Sequence, residues 1–238
     1  MAASPSIEPP ARDAGLLLDE KARSLLLDLA DAAVVAGLDG NLPGAPDLAL
    51  LPPVHREPSG VFVTLRVSGE LNGCVGSVLA REPLAVGVAR YSWAAAFDDP
   101  RLPRLRWRDY DHLVIEISVL SPLRRVPAGS RAELVAALRP GIDGLYLTCV
   151  GGASAFLPSV WEQLPDADEF VRRLQLKAGL SPGWWPPDMK AYRFTATKFG
   201  CRAGRVRDGD DGRSAGGVSY ESPRLVRPAA APGTDDVG

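Results

Sequence analysis

Val61-Phe62-Val63-Thr64-Leu65-Arg66-Val67-Ser68-Gly69-Glu70-Leu71-Asn72-Gly73-Cys74-Val75-Gly76-Ser77 sets the fold class. Val61, Val63, Leu65 and Val67 alternate with Phe62, Thr64 and Arg66, and a period of two puts the sets on opposite faces of a strand. Ser68-Gly69-Glu70 has turn composition, so the residues after it fold back as the second arm of a hairpin. In that arm Gly73 and Gly76 bracket Cys74. Glycine lets another segment come close to the main chain, so a thiol between two glycines can be held open and aimed. The plainer account is a bulged strand with a small buried cysteine.

A helix follows from Pro83, whose missing N–H costs nothing in a first turn. It runs over 84–97 and is apolar nearly all round, through Val86, Val88, Tyr91, Trp93, Ala94, Ala95 and Ala96. Such a helix is buried on more than one side. Its small residues permit a strand to approach, and the Gly73–Gly76 segment is the natural candidate. Pro100 stops the helix. Arg104, Arg106, Trp107 and Arg108 have the interleaving that grips phosphate or stacks a base. However, Asp98, Asp99, Asp109 and Asp111 cancel that charge locally, as in an internally paired loop.

Residues 113–120 alternate again. Leu113, Ile115, Ile117 and Val119 form one face; Val114, Glu116, Ser118 and Leu120 form the other. Glu116 is thus a mid-strand carboxylate among apolar neighbours, which is costly unless paired. It is either a general base for Cys74, provided the two strands are neighbours, or the outward glutamate of a half-exposed sheet.

Upstream, residues 1–14 have the composition of an unordered segment. Leu18, Ala22, Leu25, Leu29, Ala33 and Ala36 then recur at helical spacing, with Asp19, Glu20, Lys21, Asp28 and Asp31 off the stripe. Pro43, Pro46, Pro52, Pro53 and Pro58 make 38–58 a strap, and His55 within it reads as a surface residue. Downstream, Ser130-x-x-Glu133 and Asp166-x-x-Glu169 are capping boxes that open two helices. Residues 144–150 read as a strand with Cys149 packed inside, 156–161 as an apolar loop or single turn, and 191–199 as the last strand. Trp184-Trp185-Pro186-Pro187 either lines an aromatic pocket or peptide groove, or plugs a lobe boundary.

The 238 residues are 46% apolar and 24% charged with a net charge of −2, which suits one large domain or two small lobes. That balance argues against nucleic acid or an anionic membrane as partner. Three cysteines at wide spacing do not form a disulfide framework. Without a signal peptide layout or an apolar run of roughly 20 residues, the expected compartment is the cytoplasm. No metal-ligand spacing or cofactor motif is evident; His112 has no partner at such spacing, and no phosphate-loop lysine follows Gly151-Gly152.

Gly73-Cys74-Val75-Gly76, then 94–103 (AAAFDDPRLP), then 113–122 (LVIEISVLSP), resemble the AMMECR-type domain family, whose bacterial and archaeal members are often labelled AmmeMemoRadiSam system protein A. Gly141-Ile142-Asp143-Gly144-Leu145, Phe156-Leu157-Pro158-Ser159-Val160-Trp161, Lys177-Ala178-Gly179-Leu180 and Tyr192-Arg193-Phe194-Thr195 match in the same order. The domain is read as 15–200, with unordered ends at 1–14 and 201–238. The fold expected from the antiparallel connections is α+β. The resemblance adds a two-lobed single domain, mainly antiparallel sheet with helices packed on it, and puts the Gly-Cys motif at a cleft between lobes. One departure stands out: the family usually has Arg before Gly-Cys, and this chain has Asn72.

The candidate catalytic residues are Cys74 and Glu116. The candidate binding residues are Asn72, Gly73, Gly76, Asp99, Arg101 and Trp184. Asp99 and Arg101 match the family pattern, with a loop-stapling ion pair as their plain alternative. Three functions remain open: an enzyme or enzyme subunit using Cys74 as nucleophile or covalent carrier; a non-catalytic adaptor binding through Trp184-Trp185; and, third, an RNA or nucleotide module. By resemblance, the partners are a Memo-type protein and a radical S-adenosylmethionine protein in a modification pathway. The chain lacks an iron–sulfur cysteine triad of its own.

Overall fold

A computed structural model describes residues 16–181 and 183–204. In chain order the elements are α1 (Glu20–Leu38), α2 (Pro53–Arg56), β1 (Val61–Val67), β2 (Glu70–Ser77), α3 (Leu84–Phe97), α4 (Trp107–Tyr110), β3 (Leu113–Leu120), β4 (Arg124–Val126), α5 (Arg131–Ala137), β5 (Gly144–Cys149), β6 (Gly152–Phe156), a 3-10 turn (Pro158–Glu162), α6 (Ala167–Lys177), β7 (Lys190–Phe194) and β8 (Ala196–Arg202). The N-terminal segment expected to be unordered lies outside the described residues, as does the tail beyond Gly204.

The strands form two four-stranded antiparallel sheets, ordered β2-β1-β3-β8 and β4-β7-β5-β6. This is the expected α+β architecture. The opening hairpin is β1–β2, and its turn holds Ser68 and Gly69 at φ 51° and 89°, the doubly left-handed backbone that matches strand twist. The inner face of the first sheet is hydrocarbon: Val63, Leu65, Leu113, Ile115 and Ile117 are wholly buried beneath α1 and α3. The second sheet has its own core, where Trp161 stacks on Phe170 at 3.9 Å beside Leu145, Leu147 and Leu174.

Local signals set the helix starts. The Ser130 hydroxyl accepts from the Glu133 amide at 3.2 Å, and the Asp166 carboxylate accepts from the Glu169 amide at 2.8 Å. Pro83 proves to be the N-cap of α3, one residue before its helical start.

Four expectations need correction. The final strand is two strands: β7 belongs to the second sheet and β8 to the first. Thr195 stands at the switch, exchanging hydrogen bonds with Ser121, where the chain also passes between sheets after β3. Alternation continues through that point because it reports burial on one side and not the partner strand. The chain also stays in β8 through Cys201 and Arg202, paired with Ile115 and Val114, so order extends past 200. His55 is fully buried, its Nε2 at 2.9 Å from the Ala22 carbonyl; the strap folds α2 down onto α1. Asp31 is fully buried too, accepting from the Tyr110 hydroxyl at 2.7 Å and the Gly204 amide at 3.2 Å.

Candidate functional site

The two glycines beside Cys74 serve different neighbours. Gly73 lies against α3, where an added Cβ would sit 1.8 Å from the Ala95 carbonyl oxygen. Gly76 lies against β1 instead, where a Cβ would meet the Val61 carbonyl oxygen at 2.3 Å and Phe62 Cγ at 2.5 Å. With Gly73 pressed inward, alternation turns Cys74 to the outer face. The thiol is half-buried there and accepts from the Thr64 hydroxyl at 3.4 Å, directly across the hairpin.

β2 is an edge strand, and the loop after α3 supplies what its edge lacks. The Cys74 amide donates to Asp99 Oδ2 at 3.0 Å, and the Cys74 carbonyl accepts from Arg101 Nη2 at 2.9 Å. Asp99 and Arg101 are themselves joined as a fork, Nε to Oδ1 at 2.8 Å and Nη2 to Oδ2 at 2.7 Å. The Asp99 side chain is 2% exposed and that of Arg101 65%. Hydrogen bonds from Arg101 hold the Asp99 carboxyl well below the usual range; burial opposes this, and the Cys74 and Arg101 amides reinforce it. This pair does more than staple its own loop: it grips both backbone polar groups of Cys74. Asn72 ties the same loop down by donating to the Pro103 carbonyl at 3.3 Å.

Glu116 is not beside Cys74. β1 lies between their strands, with Thr64 paired to Cys74 on one side and to Glu116 on the other. Two strand spacings put the backbones about 10 Å apart, so Glu116 is no direct base for the thiol. Its carboxylate holds Lys198 at 2.7 Å and Arg66 at 3.3 Å. Burial raises its pKa, yet Lys198 and Arg66 together outweigh burial and leave the carboxyl below its ordinary value.

Lys177, at the end of α6, is the residue that sequence reasoning missed. Its Nζ donates to the Ala155 carbonyl at 3.0 Å and stands 5.2 Å over the Phe156 ring. Burial lowers its pKa, the like charge of Arg101 lowers it further, and Cys74 opposes both. A lysine in the last turn of a helix is ordinary, so its place in the chain does not single it out. Trp184 joins none of these contacts. It is 52% exposed, held through its carbonyl by Gln175 Nε2 at 3.0 Å, while Trp185 packs on the second core. A cavity of about 500 Å³ opens where Ser118, Ala196 and Lys198 of the first sheet face Leu157, Pro158 and Trp161. Among the described residues no three His, Cys, Asp or Glu side chains converge as metal ligands, and no helix is long and apolar enough to cross a membrane.

The AMMECR1 family pattern matches residues 27–199. This chain belongs to the AMMECR1 family. It is 35% identical to a protein of Methanothermobacter thermautotrophicus over 167 residues, covering 68% of this chain and 87% of that one. A Thermofilum pendens protein is 37% identical over 160 residues, covering 62% and 75%. The crystal structure of an uncharacterized protein from Pyrococcus horikoshii superposes with a TM-score of 0.67 at 32% identity, over 76% of this chain and 92% of that one. Asn72, the residue before Gly-Cys in this chain, is neutral, and the cation held against the Cys74 backbone is Arg101.

Proposed function

We propose that Cys74 is the reactive group of an enzyme or enzyme subunit, acting as nucleophile or covalent carrier. The observation that carries this reading is the double grip on the Cys74 backbone by Asp99 and Arg101, with the thiol left on the outer face. A structural cysteine needs no such clamp. Fixing both peptide groups aims Sγ with little loss of entropy at the moment of reaction. Thr64 donates its hydroxyl to the sulfur, and Arg101 holds its guanidinium on the Cys74 carbonyl. Without a base in contact, the thiol proton passes to water. The thiolate then forms a bond to an electrophilic centre of the substrate, and the leaving group departs with the bonding pair.

The setting implied by the family resemblance is a modification pathway with a Memo-type protein and a radical S-adenosylmethionine partner. A second reading, a non-catalytic adaptor, is favoured by one observation: Trp184 presents half its surface to solvent. Alkylation of the full chain with iodoacetamide, mapped by mass spectrometry, separates the two. Cys149 and Cys201 are also half-buried and serve as internal references. Cys74 is expected to react about tenfold faster than either between about pH 6 and 9. Equal rates at all three positions overturn the thiol reading and leave the adaptor.

A further inference from the structure

The outer face of the first sheet closes toward the point where the chain changes sheets. Along β3 the Glu116 side chain is 20% exposed, Ser118 is 9% exposed and Leu120 2%. The cavity of about 500 Å³ lies at that closed end, within the size range of small-molecule sites. Ser118 lines it, and among the described residues its hydroxyl has no hydrogen-bond partner. A hydroxyl buried to this degree ordinarily has one, since leaving it unmet costs stability. Directly opposite in β8 is Lys198, on the same face and also lining the cavity. Its ammonium has three hydrogens and one carboxylate partner, Glu116 at 2.7 Å. The facing wall is mainly hydrocarbon, from Leu157, Pro158, Trp161, Pro140 and Pro165, and proline has no N–H to offer. Ser159 and Glu162 add an exposed hydroxyl and an exposed carboxylate, and Glu162 has no ion pair among the described residues. That wall is braced. Trp161 Nε1 donates to the Asp143 carbonyl at 2.7 Å, and its ring stacks on Phe170 at 3.9 Å. The buried Asp143 carboxylate accepts from the Arg139 amide at 2.9 Å and Nε at 3.0 Å, which fixes the turn through Pro140 and Gly141. The motifs at 141–145 and 156–161 are thus tied to each other and to this cavity, and neither supplies a hydrogen bond to Cys74.

We propose that this cavity is a binding site for a small, mainly apolar molecule with a neutral carbonyl oxygen, of the amide, ketone or ester class. The apolar body lies against Trp161 and the prolines, and the oxygen accepts from the Ser118 hydroxyl beside Lys198. Two donors paired on one wall call for an acceptor in the ligand. The unpaired Glu162 repels an anion, which favours a neutral oxygen over a carboxylate. Ser118 lies two strands across and two residues along from the position level with Cys74, about 12 Å by strand geometry. The site is therefore separate from the thiol, goes beyond the thiol reading and stands without it.

The experiment titrates the full chain with phenylacetamide and follows the NMR signals of the Ser118 amide and the Trp161 indole N–H. Both signals are expected to shift and to saturate. Toluene, the same ring without the carbonyl, should bind about fivefold more weakly, the factor one net hydrogen bond supplies. Phenylacetate, with an anionic end, should also bind more weakly than phenylacetamide. Ser118→Ala should weaken phenylacetamide about fivefold and leave toluene unchanged. The same variant should keep the wild-type urea midpoint, because the hydroxyl has no protein partner to lose. The absence of a saturable shift at these two signals overturns the proposal, as does equal binding of phenylacetamide by wild type and Ser118→Ala. A lowered urea midpoint in Ser118→Ala would show that the hydroxyl is already engaged within the protein, and overturns it too. Tighter binding of phenylacetate than of phenylacetamide overturns the assignment of a neutral oxygen.

Discussion

The first sheet has two faces that share a backbone and almost nothing else. Ile115 and Glu116 are adjacent in β3. Ile115 is sealed under α1 and α3, while the Glu116 side chain is 20% exposed and spans Arg66 and Lys198. The same inversion occurs in β2 between Gly73, pressed on Ala95, and Cys74, turned outward. The inner face is set by dispersion and exclusion of water, so the cost of change there scales with volume. The outer face is set by charges with access to water, so the cost there is small and depends on pH and salt. Stability resides on one side of the sheet and the candidate chemistry on the other.

The most direct way to break this contrast is Ile115→Ala. It empties a wholly buried site, and the expected loss is about 4 kcal/mol, read from urea unfolding. A loss below about 1 kcal/mol would mean that the inner face is not close-packed there. Gly73→Ala comes next. The added carbon meets a helix carbonyl at 1.8 Å, so either β2 or α3 has to shift, for about 3 kcal/mol by the same assay. Because Gly73 precedes Cys74, that shift should also disturb the grip of Asp99 on the Cys74 amide.

Asp99→Asn sits at the boundary between the faces. The carboxylate is buried while its arginine is mostly in water, so the loss comes from hydrogen bonds to a charged acceptor more than from Coulomb energy. About 2 kcal/mol is expected at neutral pH. The Asp99 pKa is lower folded than unfolded, where it is about 3.9. Its contribution is therefore complete above about pH 5 and drains away as pH falls below that range. The gap between wild type and Asp99→Asn should narrow in acid; a gap that widens there would contradict the assigned ion pair.

Much of this arrangement is legible in the residues. Alternation in 61–67 and 113–120 separates the two faces correctly, down to Ile115 and Glu116. Small residues on α3 point to a close strand contact, which Gly73 makes. The α+β class follows from the order of elements, and Asp99 and Arg101 stand out as a pair. Hidden from the sequence is everything that depends on which strand lies beside which. Glu116 is expected as a neighbour of Cys74 only if β2 and β3 touch, and β1 separates them. His55 looks like a surface residue because a proline-rich strap shows no periodicity, yet the strap is what buries it on Ala22.

Glu116→Gln has the smallest expected effect on stability and tests the outer face most directly. Its carboxyl is held below its ordinary pKa by Lys198 and Arg66 against the opposing pull of burial, so its contribution exists above about pH 5 and fades below. With both cations about half in water, the loss should stay under about 1 kcal/mol. If β1 insulates the two residues, iodoacetamide modifies Cys74 in Glu116→Gln at a rate within about twofold of wild type, since a group about 10 Å away exchanges no proton with the thiol directly. Iodoacetate should react faster than in the wild type, because one negative charge has left a face with spare cations. A tenfold fall with the neutral reagent would instead mean that Thr64 relays the influence of Glu116 to the sulfur. The outer row Cys74, Thr64, Glu116 would then act as one unit rather than as a thiol beside an unrelated ion pair.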